Sequence, residues 1–284
     1  MGVLHRIPYY KAQGAGNDFL ISWREQVAGL DPSAVARAIC DRHHGIGADG
    51  WYVLARPASN TEAVVEAQLY NADGSLAEVS GNGTRCIAAV LLAEELAGPE
   101  LTIQTGAGPK FVRLLARQDL AFEFEVAMGN PRWQPDELNT PLRLSQGVLH
   151  VSIVHVGNPQ CVVFVDAFPP NWSTLAAEIE RHPRFPNRTN VSFVRVLDPQ
   201  HLEARFYERG VGQTLSSGTG AVGAAVAAIL NARARSPVEV LTRAGSLRVR
   251  WEDQLYLAGP AQILGKGEFY YTSAYYTGTQ LVRP

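Results

Sequence analysis

The sequence predicts an α+β protein of two pseudo-symmetric lobes, each a mostly antiparallel sheet wrapped around a central apolar helix, with an active-site cleft between them. Three observations predict it. Strand-like runs outnumber helix-like ones by about three to one, which disfavours a doubly wound parallel sheet. Two Ala-rich apolar runs, 86–96 and 221–230, are each entered through Ser-Gly-x-Gly and read as helices buried on most sides. The chain also repeats itself, which is the first thing to look for because it sets the architecture.

The repeat has four landmarks in one order. Ser80 follows Asn71 by nine residues, and Ser217 follows Glu208 by nine. Gly16-Asn17 precedes a helix-like stretch over 33–43 that ends Asp-Arg-His; Gly157-Asn158 precedes another over 173–182 that ends Glu-Arg-His. Offsets between matched landmarks stay between 137 (Ser80 to Ser217) and 141 (Asn17 to Asn158), a regularity that chance resemblance of Gly-rich motifs does not produce.

Between the landmarks, strands are expected at 64–70, 101–104, 111–117, 120–126, 148–155, 161–165, 191–196, 204–207, 238–241, 247–251 and 254–258. They are rich in Val, Phe, Tyr and Ile and bounded by turn-forming residues. Residues 1–130 read as the N-terminal lobe and 144–267 as the C-terminal lobe. Pro131, Pro135 and Pro141 break the pattern and mark 131–143 as a linker. The tail 268–284, aromatic over 268–278, is expected to return and pack on the first lobe.

Composition narrows the function classes. The chain has 284 residues, 46% of them apolar, so it can bury a sizeable core. Its net charge of −2 offers no general basic field for nucleic acid. The longest apolar runs fall well short of the roughly 18 residues of a membrane span, and 1–12 carry no apolar core of a secretory signal. The expectation is a soluble cytoplasmic protein. Three scattered cysteines build neither a disulfide framework nor a zinc site, and adjacent His43 and His44 point different ways, so no metal site is expected.

A Gly-rich turn entering a helix presents unpaired N–H groups and a positive partial charge, and so binds anions. Two such ends facing across a cleft would bring Ser80 and Ser217 to opposite sides of one small ligand. The plainer reading is that both serines are ordinary helix N-caps. A Walker-type phosphate loop is a weak rival, since neither Gly-rich segment has the Lys that follows in that pattern; 45–50 fits GxGxxG, but a helix-like stretch precedes it where a strand is required.

At these motifs the chain resembles the diaminopimelate epimerase family over nearly its whole length. The resemblance rests on 13–19 (QGAGNDF), 41–50 (DRHHGIGADG), 70–86 (YNADGSLAEVSGNGTRC), 157–161 (GNPQC), Asn190-Val191 and 208–221 (ERGVGQTLSSGTGA). It implies a cofactor-independent, two-lobed isomerase. Such an enzyme interconverts LL- and meso-diaminopimelate in lysine biosynthesis by removing and returning the α-proton, and often works as a homodimer. It further implies that Asn17, Asn71, Asn158 and Asn190 bind substrate together with Glu208 and Arg209, the Arg pairing with a carboxylate. Gly81, Asn82, Gly218 and Thr219 would cradle anions at the two helix starts.

The resemblance also places departures. The family's two catalytic cysteines fall at Ser80 and Ser217, its His at Gln160 and a Glu at Gln213. A helix N-terminus supplies about 0.3–1 kcal/mol, up to ~2, against about 1.36 kcal/mol per pKa unit, so it cannot make a hydroxyl as acidic as a thiol. Three readings stay open: an epimerase working through Ser80 and Ser217 with Gln160 beside them and Glu208, Asp18 or His43/His44 as base; a racemase of another amino acid using Glu208 or another base; and an amino-acid-binding homologue without turnover. Deliberate replacement of both cysteines would leave Gln160 and Gln213 unexplained.

Overall fold

The computed structural model describes residues 3–57 and 62–272. Among them, seventeen strands accompany four α-helices, the sheet-rich α+β class expected. The chain divides into two compact units: residues up to Phe124 with those from Ala261 on, and Glu125–Pro260 between.

The first unit runs β1 (His5–Gly14), β2 (Asn17–Trp23), α1 (Pro32–Ile39), β3 (Gly50–Ala55), β4 (Val65–Asn71), β5 (Leu76–Ala77), α2 (Gly81–Ala93), β6 (Glu100–Thr105), β7 (Gly108–Gln118) and the start of β8 (Ala121–Gly129). The second runs β9 (Thr140–Leu144), β10 (Gly147–His155), β11 (Pro159–Phe164), α3 (Trp172–Glu180), β12 (Asn190–Asp198), β13 (His201–Glu208), β14 (Gly212–Thr214), α4 (Gly218–Leu230), β15 (Val238–Thr242), β16 (Gly245–Trp251) and the start of β17 (Leu255–Tyr271). Apart from β9, the order of elements recurs. So does the pairing: β1–β2 and β10–β11 are antiparallel, β2–β3 and β11–β12 parallel, β3–β4 and β12–β13 antiparallel, β4–β6 and β13–β15 parallel.

Each helix has a local cause. Asp31 caps α1, accepting the Ser33 N–H at 3.0 Å, and Pro32 fills the first turn, where its missing N–H costs nothing. Val35, Ala36, Ala38 and Ile39 then face Trp51 and Val53 of β3 in one cluster. The opposite face of β3 carries Tyr52 onto Gly83 of α2, which is why β3 is buried on both faces rather than alternating. In the second unit, β12 sends Val191 and Phe193 to Trp172, Leu175, Ala176 and Ile179 of α3 and also flanks α4. Every residue of α2 from Asn82 to Leu92 is buried. α4 has no side chain larger than Ile, so strands approach it closely from several sides. In the first unit the strand pairings close as a barrel around α2, and the Ile263 N–H of β17 donates to the Leu120 carbonyl just before β8.

Three expectations need correction. Residues 131–143 are not a linker: they hold a 3-10 turn (Pro135–Glu137) and the start of β9, and belong to the second unit. The unit boundaries fall inside β8 and β17. The region expected as a short strand and a separate tail is one strand, β17, whose far half pairs with β1 from Gln262 to Tyr271. Gly265 and Gly267 hid its continuity. Thus 268–271 lie in the first unit; residues 273–284 of the expected tail lie outside the described residues. β1, β2, β3, β5, β9 and β14 are not among the strands marked above, β1 because Pro8 and its polar residues obscure alternation.

Candidate functional site

Ser80 is the N-cap of α2. Its extended backbone lets the hydroxyl accept the Gly83 N–H at 3.2 Å, while its carbonyl accepts the Thr84 hydroxyl at 2.9 Å. That leaves the N–H groups of Gly81 and Asn82 without partners inside the helix. The Asn82 side chain is buried, its Oδ1 accepting from the buried Arg85 guanidinium at 2.7 Å. Burial pulls Arg85 down to about 10, still leaving it protonated near neutrality. Tyr52, pressed on Gly83, has its hydroxyl pushed well above the ordinary range by burial, the Ser80 backbone partly offsetting this.

Ser217 repeats this at α4: extended, buried, its hydroxyl accepting the Gly220 N–H at 3.1 Å. Gly218 and Thr219 are left with unclaimed N–H groups by position. Both serines are therefore N-caps, as the plainer sequence reading has it, at two helix ends of the same construction.

The asparagines differ in what they leave free. Asn17, opening β2, gives its Nδ2 to Asp49 at 2.5 Å, leaving Oδ1. Asn71 closes a turn, its Nδ2 donating to Ser75 Oγ at 2.9 Å. Asn158 donates to Thr219 Oγ1 at 3.2 Å and accepts from Gln160 Nε2 at 2.7 Å. Asn190 accepts the Arg209 N–H at 3.0 Å and donates to the Pro159 carbonyl at 3.1 Å, so it fixes the backbone from which Arg209 projects. Glu208, ending β13, accepts the Thr214 hydroxyl at 2.9 Å.

Among the bases considered, Asp18 is a poor one. Burial would raise its pKa, but Arg42 at 2.7 Å and Lys11 at 3.1 Å outweigh that and hold it below the usual carboxylate range. His43 and His44 are exposed, and their backbone N–H groups donate to Asp41 Oδ1 at 2.7 and 2.6 Å. His155, at the end of β10, is lowered by burial, then by Arg132 and Arg209; the Arg132 guanidinium sits 3.3 Å from its Nδ1. No ionisable side chain of the same unit bonds the hydroxyl of Ser80 or Ser217 among the described residues. No group of His, Cys, Asp and Glu able to hold a metal occurs among the described residues either.

Sequence reasoning missed Asp49 and Arg42, which hold Asn17 and Asp18 in one ion-paired knot; both lie inside the 41–50 motif, but the contact is long-range. It missed Thr214 as the partner of Glu208, though Thr214 sits in the 208–221 motif.

A family model described as Diaminopimelate epimerase matches residues 9–134 and 152–264. The diaminopimelate epimerase of Pelotomaculum thermopropionicum is 37% identical, covering 93% of this chain and 99% of its own. That of Microcystis aeruginosa is 38% identical, covering 92% and 98%. Among solved structures, a hydroxyproline epimerase from Agrobacterium vitis, with bound trans-4-hydroxy-L-proline, superposes with a TM-score of 0.75 at 14% identity, over 99% of this chain and 97% of that one. A probable proline racemase from Agrobacterium radiobacter gives 0.71 at 16%, over 92% of each. At such identity these two speak for the fold alone.

Proposed function

The chain belongs to the diaminopimelate epimerase family and is an isomerase, and from that membership we propose that its substrate is diaminopimelate, with the LL and meso forms interconverted at one α-carbon in lysine biosynthesis. The observation that supports this most is the matched pair of hydroxyl-capped helix starts, Ser80 on α2 and Ser217 on α4. In the proposal the two units are pseudo-symmetric lobes, and each contributes one of these residues to an opposite face of the α-carbon. The unclaimed N–H groups of Gly81, Asn82, Gly218 and Thr219 take up carboxylate charge. Asn17 offers its carbonyl oxygen to the ammonium group, and Arg209 meets the distal carboxylate. The enzyme needs no cofactor, works in the cytoplasm and acts as a homodimer.

Serine alone is a weak acid and a weaker base than a thiolate, so proton transfer requires a relay to a stronger base. Glu208 is that base in the proposal, since it keeps a carboxylate beside the 208–221 motif while Gln160 has no titratable proton. A second reading draws on one observation: neither capping hydroxyl bonds an ionisable side chain of its own unit. On that reading the chain binds the amino acid without turning it over.

Deuterium wash-in at the α-carbon in D₂O separates the two. Incorporation into LL- or meso-diaminopimelate is the expected result. Binding of meso-diaminopimelate with no exchange in it, or in a panel of basic and diacid amino acids, would leave the second reading standing.

A further inference from the structure

Gln160 is fully buried on β11, stacked so closely on Gly223 of α4 that a Cβ there would stand 2.7 Å from Gln160 Cγ. Its Nε2 donates to Asn158 Oδ1 at 2.7 Å, and Asn158 Nδ2 donates to Thr219 Oγ1 at 3.2 Å. The Thr219 hydroxyl accepts in this chain, so its own proton is left for another acceptor. Thr219 is the second residue of α4, where the backbone N–H groups also lack helical partners. We propose that Gln160 is a positioning residue that fixes the direction of this relay, Gln160 to Asn158 to Thr219, so that the Thr219 hydroxyl donates to an anionic group of the ligand at the α4 N-terminus. The ligand's part in this rests on the amino-acid reading above.

The direction follows from what each arrangement orphans. In the observed one, Gln160 leaves Oε1 and one of its two Nε2 N–H bonds without a partner. In the reverse one, Oε1 would accept from Asn158, Asn158 Oδ1 would accept from Thr219, and the buried orphan would be the Nε2 group with two N–H bonds. An under-used carbonyl oxygen is tolerated more often than an orphaned N–H. An amide also holds the donor direction at every pH, whereas a histidine there would donate or accept according to its protonation.

The test is Gln160→Glu, the same shape with one atom changed. Ionised, that carboxylate only accepts; Asn158 must turn its Nδ2 towards it, and the Thr219 proton is drawn to Asn158 Oδ1. Protonated, it donates as the amide does. Titration calorimetry with meso-diaminopimelate, comparing variant with wild type between pH 8 and pH 5, should show Q160E weaker by about tenfold at pH 8, the worth of one hydrogen bond to a charged group. The gap should close as pH falls. Thr219→Val should remove the same factor at every pH and add little to Q160E at pH 8. A ratio of one throughout, or a loss that does not vary with pH, overturns the relay.

Neutron diffraction from deuterated crystals without ligand gives a second readout that does not depend on binding or on the variant folding. Deuterons on the Gln160 atom facing Asn158, with the Thr219 deuteron directed away from Asn158, support the relay; a Thr219 deuteron on Asn158 Oδ1 overturns it. If the relay is as stated but wild type does not bind meso-diaminopimelate, the substrate reading falls and the relay stands.

Discussion

Gly223 of α4 and Gln160 of β11 are packed so that no Cβ fits between them: one on Gly223 would stand 2.7 Å from Gln160 Cγ and 2.8 Å from its Cβ. Gly223→Ala therefore tests space against helix propensity. In an open site Ala would stabilise a helix interior by up to about 1 kcal/mol. Here overpacking should win, costing about 1–3 kcal/mol in urea denaturation. Gln160→Ala in the same chain should recover part of the loss. A stabilised Gly223→Ala would show that β11 and α4 are less tightly engaged than described.

Ser80→Ala and Ser217→Ala should each cost about 0.5–2 kcal/mol, because each removes the acceptor for a first-turn N–H. Both should also lower α-deuterium exchange. Ser80→Cys with Ser217→Cys places two thiols at helix N-termini, where thiolates form more readily. Exchange into meso-diaminopimelate should then rise well above wild type; an unchanged rate would mean that these positions do not reach the α-carbon.

The native thiols should stay silent in such experiments. Burial pushes Cys40 and Cys86 up to about 12 and raises Cys161 as well. All three are buried, and the thiolate is the reactive form. A disulfide reagent at pH 8 should label none of them in the folded protein, all three in denaturant, and in the double Cys variant the two introduced thiols first. Fast labelling of the native wild type would contradict the burial of these side chains.

Asp18 should make stability acid-sensitive. Its folded pKa is depressed by Arg42 and Lys11 despite burial, so its contribution is present above the unfolded value of about 3.9 and is lost as pH falls through the folded value. Asp18→Asn should be less stable than wild type at pH 7, with the difference shrinking steadily below about pH 4. Urea midpoints at pH 7 and pH 3 measure it; an equal difference at both would show that the carboxylate's charge is not what Arg42 and Lys11 hold.

The sequence by itself determined the elements whose cause is local. The Ser-Gly-x-Gly entries to α2 and α4 are legible because an N-cap and an apolar run are neighbours in the chain, and the near-constant offset between Ser80 and Ser217 exposes the repeated order of elements. Most strands of Val, Phe and Ile announce themselves in the same way. Tertiary structure decided what depends on distant residues. β17 is one strand from Leu255 to Tyr271 because β16 and β1 supply its partners, and no window of residues rich in Gly contains that fact. Likewise, Asn17 gives an amide N–H to Asp49 and keeps its carbonyl oxygen, and Asn190 holds the Arg209 backbone instead of standing free. A side chain's type fixes the bonds it is able to make; which of them remain for a ligand is fixed by the neighbours that folding brings to it.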